Sequence, residues 1–172
     1  ILNMEARRAP DAVTRDILTQ NVGRILTFSD LHAMLSEQTY SGPLAFKSFL
    51  QRLLSQLAGC LGDDGRIETT LAGDALELPA DQAIALALVI NELVSNAYLH
   101  AFAPGERGHV AVVLRETPLR RMVIVRDDGR GPADLTPGLG LQIAETTLRD
   151  KLQGYLTLRR GEHGGTMAIV EF

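Results

Sequence analysis

The stretch Asn91-Glu92-Leu93-Val94-Ser95-Asn96-Ala97-Tyr98-Leu99-His100-Ala101-Phe102 decides the reading of this chain. It closes a run that starts near Ala80 and is apolar on almost every side (Ile84, Leu86, Leu88, Val89, Ile90, Leu93, Val94), the pattern of a buried helix. Glu92, Asn96 and His100 follow one another at i, i+4 and i+8, which stacks three polar side chains on one stripe of that helix. Buried polar groups left unpaired cost about 1–3 kcal/mol each. A stripe of this kind therefore lines a wet cleft or meets a ligand. Two landmarks further on suggest which: Asp127-Asp128-Gly129-Arg130-Gly131 and Gly138-Leu139-Gly140-Leu141.

Working outward, the chain divides into a helical part and a mixed part. Residues 1–9 read as the end of a helix, stopped by Ala9-Pro10, because proline cannot continue a helix and disfavours it in the residue before. Asp11 is placed to cap a second helix running to about Glu37, with Leu18, Val22, Ile25, Phe28, Leu31 and Leu35 on one stripe. Ser41-Gly42-Pro43 connects it to an amphipathic helix over about 44–61 (Phe46, Leu50, Leu53, Leu57, Leu61) that stops at Gly62-Asp63-Asp64-Gly65. Short strands follow at Arg66–Leu71 and Ala75–Leu78, flanking a Gly73-Asp74 turn. After the buried helix at 80–102, Val110–Glu116 and Arg121–Arg126 form a hairpin around Pro118. A helix at about Leu139–Leu152 and a closing hairpin, Gly154–Arg160 with Thr166–Phe172, complete the chain. The class is α+β: a helical hairpin, then a two-layer sandwich of a mixed, mostly antiparallel sheet with helices on one face.

The bulk properties narrow the function. At 45% hydrophobic and 22% charged, 172 residues are enough to bury a real core. A net charge of −4 without a basic run argues against nucleic acid as partner. Cys60 stands alone, so there is neither a disulfide framework nor a cysteine metal site. The 80–102 run is interrupted by Asp81, Asn91, Glu92, Asn96 and His100, which argues against a membrane span, and residues 1–10 lack the apolar core of a signal peptide. The expected location is the cytoplasm, with the intact protein free or membrane-tethered. The start at Ile1 suggests a fragment of something longer.

Each motif has an ordinary reading and a chemical one. Asp127-x-Gly129-x-Gly131 follows a strand and, alone, is a turn. Chemically, the Asp127 carboxylate can accept a hydrogen bond from the exocyclic amino group of adenine, with Gly129 and Gly131 letting backbone approach the ring. Gly138-Leu139-Gly140-Leu141 is a loop into a helix, or a set of free N–H groups at a positive dipole end for phosphate oxygens. Asn96 offers a neutral oxygen suited to a Mg²⁺ that also bridges phosphates. Glu92 could orient a nucleophile or take its proton. His100 could contact the nucleotide or simply meet the helix C-terminal dipole. The Thr166 hydroxyl, after Gly164-Gly165, could assist Asp127.

In this order the motifs resemble the ATP-binding sandwich (the Bergerat-type fold) of histidine kinases, gyrase-type ATPases and Hsp90 chaperones. NELVSNAYLHAF, VRDDGRG and GLGLQIAETTLRDKLQGYLTLRRGEHGGTMAIVEF resemble a bacterial sensor histidine kinase of the HWE-related branch. LNMEARRAPDAVTRDIL resembles the same branch's dimerisation and phosphotransfer helices.

The resemblance implies residues 1–40 as that helical hairpin, its first helix truncated, and 41–172 as an ATP-binding catalytic domain including the linking helix 44–61. It implies ATP and Mg²⁺ as ligands, Asn96 on the metal, Glu92 as the catalytic acidic residue, and Asp127 on adenine. Gly129, Gly131, Gly138, Gly140, Leu141, His100 and Thr166 would complete the nucleotide site. It further implies a response-regulator receiver domain as partner and a homodimer for the intact protein. Two positions depart from the pattern. Leu99 stands where the family carries a lysine, and none of His32, His100, His109 or His163 lies at the phospho-acceptor place on the first helix. Alternatives are a module that has lost ATP binding but still docks a response regulator, and another ATPase or serine kinase of the superfamily.

Overall fold

The computed structural model describes residues 42–61, 65–131, 139–161 and 164–172, with single positions at 14, 25 and 29. The expected helices at 1–9 and 11–37, the Pro132–Pro137 loop and Gly138 lie outside the described residues.

Strand β1 (Leu44–Ala45) leads directly into helix α1 (Phe46–Cys60), so the helix expected from residue 44 begins two residues later. No side chain caps α1. Its stability comes from the stripe Phe46, Phe49, Leu50, Leu53, Leu54 and Leu57, all buried at i, i+3, i+4 spacing. Strand β2 (Ile67–Gly73) and the short β3 (Glu77–Leu78) flank the predicted turn but do not pair with each other. The Asp74 N–H donates to the Leu114 carbonyl (2.9 Å) and its carboxylate accepts the Glu116 N–H (2.8 Å), tying the turn to the next strand of the sheet. β3 instead pairs with β1, antiparallel.

Helix α2 (Ala80–Asn96) is buried along most of its length, as its composition requires, with Asp81 placed favourably in the first turn. It continues as a single π-helical turn, Ala97–Ala101, and ends where Phe102 becomes extended. Strands β4 (Gly108–Glu116) and β5 (Arg121–Asp127) form the expected hairpin, followed by helix α3 (Leu139–Leu152) and the hairpin of β6 (Tyr155–Arg160) and β7 (Thr166–Glu171).

The five-stranded sheet runs β2-β4-β5-β7-β6, with β2 parallel to β4 and every other pair antiparallel. Register aligns Val112, Val125, Ala168 and Leu158 across it on the side facing the helices. These residues, with Val110, Leu114, Val123 and Val170, join the apolar faces of α1, α2 and α3 in one core. The architecture is the predicted α+β sandwich. Among the described residues, Ala80–Ala101 alone is long and apolar enough to cross a membrane, and it is the core helix, most of it buried inside the fold.

Candidate active site

Asp127 ends β5 opposite Val110, a core residue, so register turns its side chain toward the helices. Its carboxylate accepts the Gly129 N–H on Oδ1 (3.0 Å) and the Thr166 N–H on Oδ2 (3.2 Å). Burial pushes this carboxyl above the ordinary aspartate value; hydrogen bonds from the Gly129 N–H and from the hydroxyl and N–H of Thr166 pull the other way, and the neighbouring Asp128 charge adds to the rise. The Thr166 hydroxyl thus lies within hydrogen-bonding reach of Asp127.

Glycines permit the close approaches around this carboxylate. A Cβ at Gly165, where φ is +72°, would overlap the Asp127 carbonyl, and one at Gly129 would overlap the Ala101 carbonyl. Gly131 also has positive φ, +70°, and lies beside Gly165. The Arg130 N–H donates to the Ala101 carbonyl (2.9 Å), which fastens the 127–131 loop to the end of α2.

The α2 stripe is brought to the same end of the sandwich. Glu92 is buried, 3% exposed, and its carboxylate lies against Gly140 in the first turn of α3; any side chain at 140 would overlap it. The positive end of a helix favours such an anion. Asn96, one turn on, is half-buried, and Leu141 packs partly buried on the core.

A π turn interrupts the α-helical spacing that stacked His100 on Asn96, and His100 is exposed. Single π turns are frequent at functional sites. Sequence periodicity could not show this one, because it assumes an unbroken α-helix. It also overlooked Ala101, Asp128 and Gly165, although the doubled glycine before Thr166 was a usable sign of a tight backbone approach.

The described contacts thus place one buried carboxylate, Glu92, against the first turn of α3, and a partly buried one, Asp127, at the end of β5 beside the loop that is fastened to the end of α2. Residues 81–172 match the family described as histidine kinase-, DNA gyrase B-, and HSP90-like ATPase, and residues 1–61 match a family described as histidine kinase. The chain belongs to the histidine kinase-, DNA gyrase B- and HSP90-like ATPases. Within them it is a sensor histidine kinase module, in which the ATPase-family region follows a region of the histidine kinase family.

It is 31% identical over 176 residues to the sensor histidine kinase PdtaS of Mycobacterium tuberculosis, covering 99% of this chain and 35% of that protein. It is 32% identical over 111 residues to blue-light-activated histidine kinase 2 of Erythrobacter litoralis, covering 62% of this chain and 31% of that one. This histidine kinase module thus spans about a third of the length of these curated relatives. The histidine kinase domain of the Erythrobacter litoralis EL346 blue-light activated histidine kinase shares its fold, with a TM-score of 0.77 at 24% identity, covering 89% of this chain and 74% of that one.

Proposed function

We propose that this histidine kinase module binds Mg-ATP between α2 and the loops running from Asp127 to Leu141. The protein it belongs to would pass the γ-phosphoryl group to a histidine and then to a response-regulator aspartate. The observation that carries the reading is Asp127, a partly buried carboxylate at the end of β5 with Gly165 in close approach and a following loop that packs on Ala101 at the end of α2.

The residues fit the nucleotide. Each Asp127 oxygen accepts one backbone N–H and retains acceptor capacity, so the carboxylate can also take the adenine amino group. Gly129 and Gly131 let the loop after β5 pack closely on Ala101 and Gly165, and the first turn of α3 offers N–H groups to phosphate oxygens. Among the described residues no three His, Cys, Asp or Glu side chains are grouped to hold a metal. The Asn96 side-chain oxygen would help to hold Mg²⁺, an ion that keeps several of its own ligands. When bound, it offsets charge on the polyphosphate. Glu92 would orient the attacking imidazole or take its proton. Leu99 supplies no charge at the position where the family carries lysine.

Titration calorimetry with and without Mg²⁺ tests these roles separately. Asn96→Ala should abolish the gain in ATP affinity that Mg²⁺ gives and leave adenosine binding nearly unchanged. Loss of both ligands in a folded variant would make Asn96 structural. A second reading, a scaffold that docks a response regulator without binding ATP, is favoured by Leu99 alone. Saturable ATP binding would exclude it.

A further inference from the structure

We propose that Asp128, outside the nucleotide roles given above, is a positioning residue that sets the aim of the Asp127 carboxylate. The inference rests on Asp127 as the adenine-recognising group. β4 and β5 pair up to Val110–Asp127, and the next pair in register is His109–Asp128. In an antiparallel ladder such a pair exchanges two backbone bonds. Here one is present, the Asp128 N–H to the His109 carbonyl at 3.2 Å. The other partner is replaced: the His109 N–H donates to the Asp128 carboxylate at 2.6 Å.

The side chain thus takes the place of its own backbone carbonyl as acceptor. The strand is held shut at its last pair while the backbone at Asp128 is released to turn. That turn brings the Gly129 N–H back to Asp127 Oδ1 and carries Arg130 to the Ala101 carbonyl. Asp128 itself is exposed and bonds on the His109 side, so it holds the loop from the strand side and does not hydrogen-bond to Asp127's own backbone partners. The His109 ring is anchored in turn, its Nε2 lying 2.9 Å from the Thr70 hydroxyl on β2. Without the carboxylate, the His109 N–H would recapture the Asp128 carbonyl or water. The ladder would then lengthen or fray, and Asp127 would lose its fixed direction.

The test is calorimetric titration of the 172-residue chain with ATP and with purine riboside triphosphate, which lacks the amino group. Asp128→Ala should bind ATP about tenfold more weakly, the worth of roughly one hydrogen bond, and its preference for ATP over the analogue should shrink by the same factor. Asp128→Asn keeps an acceptor oxygen and should stay within about threefold of wild type. Unchanged affinity in Asp128→Ala, an equal loss for both nucleotides, or an equal loss in Asp128→Asn would each overturn the proposal. Should Asp128→Ala fail to fold, Asp128→Ser, too short to span to His109, gives the same comparison. Asp127→Asn is run alongside. If it leaves ATP affinity unchanged, the adenine assignment falls and this role with it. If it weakens ATP while Asp128→Ala does not, the positioning role falls alone.

Discussion

Asp127 stores a conflict between burial and charge, and that conflict has a measurable sign. Burial lifts its carboxyl above the reference value of 3.8, and the Gly129 and Thr166 bonds do not cancel the lift. A carboxyl raised on folding binds its proton more tightly in the native state, so ionisation costs stability as pH climbs from 3.8 through the native value. Asp127→Asn removes that cost. In thermal melts without nucleotide, the variant should gain on wild type as pH rises across this window and hold a constant lead above it. A gain that grows toward acid pH would contradict the assignment. Glu92 carries a different prediction: Glu92→Gln should keep ATP affinity within a few fold, yet slow phosphoryl transfer in a longer chain that carries the acceptor histidine by about 10²–10⁴-fold, the range of general-base effects. Radiolabel transfer at the wild-type rate would remove Glu92 from the chemistry.

At the scale of elements, α2 combines stability and function, and its buried polar groups separate the two. Asn91 and Ser95 lie one turn apart, both fully buried, and their side-chain polar atoms have no hydrogen-bond partner among the described residues. Removing an unsatisfied hydroxyl relieves a desolvation cost of about 1–3 kcal/mol, offset by a small loss of packing. Ser95→Ala should therefore hold or raise the melting temperature, and a clear fall would show that the hydroxyl has a partner. Gly140→Ala should do the reverse, since the added carbon meets the Glu92 carboxylate and must displace it or the start of α3. Both elements were legible in the sequence, α2 from its long, mostly apolar run and α3 from the glycines ahead of it. The π turn was not, because one extra residue in a turn leaves no mark on hydrophobic spacing. Nor was the parallel β2–β4 pairing, which joins strands separated in the chain by β3 and α2.

For the molecule as a whole, the sandwich followed from motif order, while the carboxylate–backbone contacts of Asp127 needed three dimensions. The 11–37 stripe (Leu18, Val22, Ile25, Phe28, Leu31, Leu35) is the proposed dimer surface of the intact protein. Sedimentation of a longer chain should show a dimer, and a strict monomer at high concentration would count against it. On the proposed reading, in which none of His32, His100, His109 or His163 is the phospho-acceptor, these 172 residues alone should bind ATP without becoming phosphorylated. Acid-labile, base-stable phosphate on any of them would overturn that account. The central claim, that Asp127 reads a bound adenine in this cleft, is tested most directly by calorimetric titration of Mg-ATP into wild type and Asp127→Asn side by side. Saturable binding to wild type, weakened by about 1–3 kcal/mol in the folded variant, is the predicted result; no binding to wild type, or equal affinity in the two, would contradict it.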